Sequence, residues 1–293
     1  MVGVRALTVL LTASALGGLP SALTAQAPIR AMSFNIRYGT ANDGEHSWPN
    51  RRSHLIAVIR DHAPQILGVQ EALRGQLDEL RVALPLHREI GVGRDDGRTA
   101  GEYTALYVDS TRFGVVAEGT FWFSDTPEVP GSTSWGNRIT RICTWARLVD
   151  RATGDTMRVY NLHWDHESQP SRVRSAAQLL ARLTRDASTN DRVLVVGDFN
   201  ADERNPAYQA LLGDRRIRLR DAFRDVHGTA KVVGTFNAFR GDSTGGMIDH
   251  VLAGPRWRVV ASGIDRRRFG TLWPSDHFPV WAILEADVQG KAR

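Results

Sequence analysis

Ten short runs of β-branched and aromatic residues recur between Ile29 and Leu284, and six of the resulting strand ends carry acidic, amide or imidazole side chains. The runs are Ile29–Tyr38, Ile66–Gln70, Thr104–Val108, Val115–Phe123, Cys143–Val149, Met157–Leu162, Val193–Val196, Ile248–Ala253, Val259–Ser262 and Val280–Leu284. Helical spacing is confined to three stretches. Arg51–His62 follows Asn50 as an expected N-cap, Gln76–Leu84 carries Leu77, Leu80 and Leu84, and Ser171–Asp186 aligns Val173, Ala176, Ala177, Leu180 and Leu183. Strands in such excess predict an α/β chain with sheets packed on each other and helices outside. No linker or internal repeat breaks the stretch after residue 27, so residues 28–293 are expected to form one domain.

The polar groups at the strand ends narrow the chemistry. Asn35 lies in Met32–Arg37, and Glu71 follows Ile66–Gln70. Asn161 and His163 lie in Tyr160–Asp165, while Asp198 and Asn200 follow Val193–Gly197. Asp249 follows Met247-Ile248, and Asp276 and His277 lie in Ser275–Pro279. A single Asp or Asn after a strand is ordinarily a turn residue. Six such ends would each need separate compensation for a carboxylate or amide beside apolar strands, whereas one divalent cation compensates several together. Oxygen donors without a thiolate cluster suit Mg²⁺, with Mn²⁺ as the other option, and Mg²⁺ favours phosphate-bearing substrates.

In this order, the segments Ser-Phe-Asn-Ile-Arg, Gly-Val-Gln-Glu, Asn-Leu-His-Trp-Asp-His, Gly-Asp-Phe-Asn, Ile-Asp-His and Ser-Asp-His-Phe-Pro-Val resemble the endonuclease/exonuclease/phosphatase superfamily, from about Ile29 to Leu284. The resemblance implies a four-layer α/β sandwich of two mostly antiparallel β-sheets packed face to face, with helices outside and the site at one end. It implies Glu71 as principal metal ligand with Asn35 and Asp276 beside it. Asp198 and Asn200 would position or deprotonate water and take part in holding metal. Asn161 and His163 would contact the scissile phosphate, and His277, oriented by Asp249, would face it. Trp164 stands where the motif more often has an aliphatic residue, and His166 extends the segment.

Substrate contacts are expected from two further regions. The loop Tyr38–Arg52 sets Trp48 beside Arg51 and Arg52, an aromatic–guanidinium pairing suited to a base, a sugar face or a phosphate. The stretch Phe121–Pro130, with Trp135 and Arg141, resembles a bacterial secreted branch of the superfamily, in which Glu102, Tyr103 and Arg141 would line the pocket.

Of 293 residues, 42% are hydrophobic and 24% charged, which excludes wholesale disorder. Cys143 stands alone, which excludes a disulfide framework. Met1–Ala27 reads as a secretory signal: Arg5, an apolar stretch Ala6–Leu16, then Ala25-Gln26-Ala27 as a small-x-small cleavage pattern. Eleven helical residues span only about 16 Å, short of a bilayer core, so the mature chain is expected to be secreted or periplasmic without a transmembrane segment. The formal charge of +5 comes from arginine, because Lys231 and Lys291 are the only lysines. The favoured partner is therefore a phosphorylated small molecule, sugar or lipid headgroup. An extracellular DNA or RNA nuclease and a phosphate-binding protein without activity are the alternatives, and composition leaves the oligomeric state open.

Overall fold

The hydrophobic runs become strands, the central ones buried on both faces. The protein is described from a computed structural model covering residues 1–3, 27–186 and 191–287. The expected signal, residues 1–27, thus lies almost wholly outside the described residues. The chain runs β1 (Ile29–Asn35), α1 (Trp48–His62), β2 (Ile66–Ala72), α2 (Arg74–Ala83), β3 (His87–Ile90), β4 (Tyr103–Asp109), β5 (Phe113–Trp122), β6 (Ile142–Asp150) and β7 (Thr156–His163). It continues through α3 (Gln169–Asp186), β8 (Arg192–Asp198), α4 (Pro206–Gly213), β9 (Arg220–Asp221), α5 (Ala222–His227), β10 (Asp249–Ala253), β11 (Trp257–Ile264) and β12 (Val280–Ala286).

Two six-stranded sheets result, ordered β11-β12-β1-β2-β4-β3 and β5-β6-β7-β8-β10-β9. Each contains one parallel pair, β1 with β2 and β7 with β8, amid antiparallel neighbours. Helix α1 makes the crossover in the first sheet and α3 in the second. Alternation along each strand divides the core into three layers. Ala31, Ile66, Val159 and Val196 meet between the sheets. Phe34, Leu67 and Val69 face the α1 and α2 residues Leu55, Ile59, Leu77 and Leu80. Tyr160, Leu162 and Val195 face Ala176, Leu179 and Leu183 of α3. This is the sandwich expected.

Details differ from the expectation for local reasons. Helix α1 starts after Ser47, with Pro49 in its first turn, whereas Asn50 lies inside it and donates from its amide to the Glu45 carbonyl. Proline's fixed φ favours that earlier start. The buried face of α3 holds Ser171, Ser175, Ala176, Leu179 and Leu183, and Val173 is exposed. Counting only apolar residues rotates the stripe, since the two small serines sit inward. Strand β3, His-Arg-Glu-Ile, is a polar edge, and polar edges give no alternating signal.

The space between the sheets changes character along its length. Proceeding by twos, β1 reads Ile29, Ala31, Ser33, Asn35 and β7 reads Met157, Val159, Asn161, His163, apolar at one end and polar at the other. The transition is built from hydrogen bonds. Gln70 Nε2 donates to Asn161 Oδ1 at 2.7 Å, and Asn161 Nδ2 donates to the Val69 and Ala105 carbonyls at 3.0 and 2.7 Å. Gly68 makes room for it: a Cβ there would lie 2.6 Å from Val196 Cγ2 and 2.8 Å from Asn161 Cγ. Gly68→Ala is therefore expected to destabilise the fold by about 1–3 kcal/mol, as overpacking does, read as a lower urea midpoint. An unchanged midpoint would show that the sheets are free to move apart here.

Candidate active site

The parallel pairs decide where chemistry collects. Asn35 and Glu71 leave the carboxyl ends of β1 and β2, and His163 and Asp198 end β7 and β8 in register with each other. Asp249 begins the antiparallel neighbour β10, paired with Asp198, and Asp276 and His277 precede β12. Six strand ends thus meet at one edge of the sandwich, in a cleft of about 690 Å³. Glu71, Glu102, Arg141, His163, Asp198, Asn200, Asp276 and His277 line it, among the residues expected.

Asn35 lies between the acids. Its Nδ2 donates to Glu71 Oε1 at 3.0 Å and to Asp198 Oδ2 at 2.9 Å, and its Oδ1 accepts from the Arg37 amide. Through Nδ2 the carboxamide holds the two carboxylates at a fixed separation. Glu71 and Asn200 both have left-handed backbone, φ 61° and 46°, a conformation that non-glycine residues adopt rarely outside functional turns. The Asn200 amide donates to Asp198 Oδ1 at 2.8 Å. Burial pushes the Asp198 carboxyl up to about 7, reinforced by Asp249 and opposed by His277 and Asn35. Burial likewise raises Asp276, with Glu71 adding to it.

The two cleft histidines differ. His277 Nδ1 bonds Asp249 Oδ2 at 2.8 Å. Burial disfavours its charge, but Asp249, Asp198 and Asp276 together hold it well above the ordinary imidazole value. His163 is held well below that value by burial and by Arg141 and Arg94. Arg141 Nη1 lies 3.0–3.1 Å from both His163 ring nitrogens, and Nη2 lies 2.7 Å from His166 Nδ1. The 3.5 Å approach of His163 Nε2 to Asp198 is therefore a contact with a neutral ring.

Ligand atoms of Glu71, His163 and Asp198 lie within 4.8 Å of one another, as do those of Asp198, Asp249 and His277. The first set suits a cation better, because the surrounding carboxylates favour the charged form of His277, whose Nδ1 bonds Asp249. Buried Asp249 Oδ1 has no hydrogen-bond partner among the described residues, in keeping with a cluster that has more negative charge than the protein neutralises. The oxygen-rich donors fit a hard divalent ion.

Residues 32–277 match the model of the Endonuclease/Exonuclease/phosphatase family. The chain belongs to that family. An endonuclease/exonuclease/phosphatase from Bacteroides vulgatus superposes with TM-score 0.83 at 32% identity, covering 89% of this chain and 100% of that one. A mannosyl-6-phosphatase from Bacteroides thetaiotaomicron gives TM-score 0.80 at 31% identity, covering 87% and 99%. The human Nocturnin catalytic domain shares the fold, at TM-score 0.70, 18% identity and coverage of 89% and 94%. By family the protein is a metal-dependent hydrolase of phosphate esters.

Four expected contact residues lie elsewhere. Asn161 is consumed between the sheets, as described. Tyr103 is buried, its hydroxyl donating to the Arg98 carbonyl and its ring under Arg74. Trp48 donates from Nε1 to Glu79 behind the cleft. Arg51 is wholly buried, with its guanidinium donating to the carbonyls of Ile36, Arg37, His46 and Pro274. It clamps the loops that carry Arg37 and Asp276 and does not line the cleft. Cleft residues not foreseen include Arg37, Arg94 and Phe236. Arg37 was within sight, two residues after Asn35 in the same motif. The string Gly241-Asp242-Ser243-Thr244-Gly245 matches a nucleophile-elbow pattern, but it lies in a loop and not at a strand-to-helix turn.

Because the folded state binds the Asp198 proton more tightly than the unfolded chain, its ionisation costs stability as pH rises from about 4 to 7. Asp198→Asn, free of that cost, is expected to be more stable than wild type at pH 8 in chelator. The gap should narrow as pH falls towards 4, measured by urea unfolding across pH; a gap that widens in acid contradicts this.

Proposed function

We propose that the protein is an exported, Mg²⁺-dependent phosphoesterase that hydrolyses small phosphorylated molecules in preference to nucleic acid. The observation that carries this reading is the meeting of Glu71, Asp198 and the Asp249–His277 pair in one cleft beside Arg37. The 31% identity to a mannosyl-6-phosphatase over nearly the whole chain supports a small substrate. Export rests on the Met1–Ala27 pattern, and cell fractionation would test it.

When bound, the cation would be held by Glu71 with Asp276 and Asp198 near it, and it supplies charge neutralisation on a phosphoryl oxygen. Mn²⁺ fits the same donors. The protein's own groups do the rest. Arg37 and the His277 cation attract and orient the phosphate, His277 through Nε2 because Nδ1 is tied to Asp249. Asn200 and Asp198 seat a water on the far side of phosphorus. Asp198, buried beside Asn200 at the edge of the cleft, is the carboxylate placed to receive its proton. Asn35 fixes the Glu71–Asp198 separation throughout.

Activity on a panel of phosphomonoesters and diesters should vanish in EDTA and return with Mg²⁺ or Mn²⁺. Glu71→Ala and His277→Ala should each lower kcat about a hundredfold or more. Full activity in EDTA, or steeply salt-dependent nicking of plasmid DNA exceeding every small-ester rate, would overturn the reading.

A further inference from the structure

One charged pair in the cleft takes no part in the hydrolysis derived above. Arg94 grips Glu102 bidentately at 2.6 and 2.9 Å, and both line the cleft. A small built hairpin fixes them opposite each other. The Arg94 amide donates to the Glu102 carbonyl at 3.1 Å, and the Gly93 amide donates to the Arg98 carbonyl at 3.0 Å. Asp96 Oδ1 accepts from the Arg98 and Ala100 amides, and Trp122 Nε1 donates to the Arg94 carbonyl at 2.7 Å. The turn requires glycine at 101, where φ is 82° and a Cβ would lie 2.4 Å from the Asp95 carboxylate. Arg94 Nε is buried without a hydrogen-bond acceptor among the described residues, with Asp95 Oδ1 at 3.8 Å.

The donor pattern indicates what such a pair can bind. Each Glu102 oxygen spends one acceptor site on Arg94 and retains another, and the guanidinium has further N–H groups. An alcohol hydroxyl both donates and accepts, so it can bond both members at once. A phosphate only accepts, and Glu102 repels it.

Phe236 lines the same cleft and is 48% exposed. It is held in place by a backbone bridge to His277 and by edge-on packing on that ring at 5.1 Å. A fixed aromatic face left in water beside a phosphate site suits the C–H face of a sugar ring.

Building on the phosphoesterase reading, we propose that the alcohol half of the substrate is a sugar or polyol, whose hydroxyls are read by the Arg94–Glu102 pair and whose ring rests on Phe236. The test uses the full mature chain with Mg²⁺ on glucose and mannose 6-phosphates, their 2-deoxy and 3-deoxy analogues, and ethyl phosphate, which has no hydroxyl. Wild type should prefer a hexose phosphate to ethyl phosphate in kcat/KM. It should also discriminate against at least one deoxy analogue by about tenfold or more, as sites built around a substrate hydroxyl do. Glu102→Gln should shrink that preference by about tenfold, chiefly through KM, and Phe236→Ala should raise KM for the hexose ester more than for ethyl phosphate.

Equal handling of parent and deoxy esters by wild type overturns the subsite whether or not the variants fold. So does an unchanged hexose-to-ethyl ratio in Glu102→Gln. Hydrolysis of ethyl phosphate but of no hexose phosphate also overturns it and leaves the phosphoesterase reading intact. Failure on every phosphoester with metal present overturns both.

Discussion

Like charges held close together are what the remainder of the cleft is arranged around. Asp198 has carboxylate neighbours in both Glu71 and Asp249, with ligand atoms inside 4.8 Å. Two such charges repel by on the order of 3 kcal/mol at an effective dielectric of 20. The protein meets this cost in part: Asn35 donates to two of the carboxylates, a cationic His277 stands by two others, and Arg37 lies 3.8 Å from Asp276. The shortfall shows in the raised Asp198 and Asp276 carboxyls and in Asp249 Oδ1, which has no hydrogen-bond partner among the described residues. A divalent cation is the one small species that lowers the energy of the whole group together, so affinity for metal is built into the repulsion.

Holding that repulsion requires a rigid frame, and the frame follows from topology. Both sheets have the same pattern, a single parallel pair spanned by one helix and flanked by antiparallel strands. Parallel strands send their carboxyl ends the same way, and sites in α/β sheets collect there. With two sheets face to face, those ends deliver Asn35 and Glu71 from one side and His163 and Asp198 from the other. Antiparallel neighbours return Asp249 and His277 to the same edge. Arg51 then joins the pieces by donating to the backbone after β1, in the following loop and just before Ser275, while Ser275 Oγ donates to the Asn35 carbonyl at 2.7 Å.

The sequence was most readable where strand patterning and chemistry coincide. A carboxylate directly after Val-Leu-Val-Val-Gly is visible because it violates its apolar surroundings, and Glu71, Asp198 and His277 were legible on that basis. Side-chain direction was harder. Asn161 and His163 share one face of β7, yet one is two residues deeper and is consumed by carbonyls of the opposing sheet. Arg51 looks like a surface guanidinium beside Trp48, and only the three-dimensional path of four carbonyls shows that it is buried. Arg94 and Phe236 gave no signal, because their roles depend on where loops of irregular geometry fold back.

The contrast between His163 and His277 shows how much of the chemistry is environmental. Both rings are buried, and both have Nε2 within 4 Å of Asp198 Oδ2, at 3.5 and 3.9 Å. Burial alone would strip the charge from either. Asp249 behind His277 reverses that outcome, and Arg141 against His163 reinforces it. A dianionic phosphate arriving at this edge thus meets a permanent donor on one side and a neutral ring backed by a guanidinium on the other. Were both histidines cationic, Asp198 would be held ionised by two adjacent charges and would be a poorer proton acceptor. Were both neutral, the phosphate would lose its cationic anchor from the protein side. The asymmetry lets one site stabilise phosphate charge while keeping a base beside it.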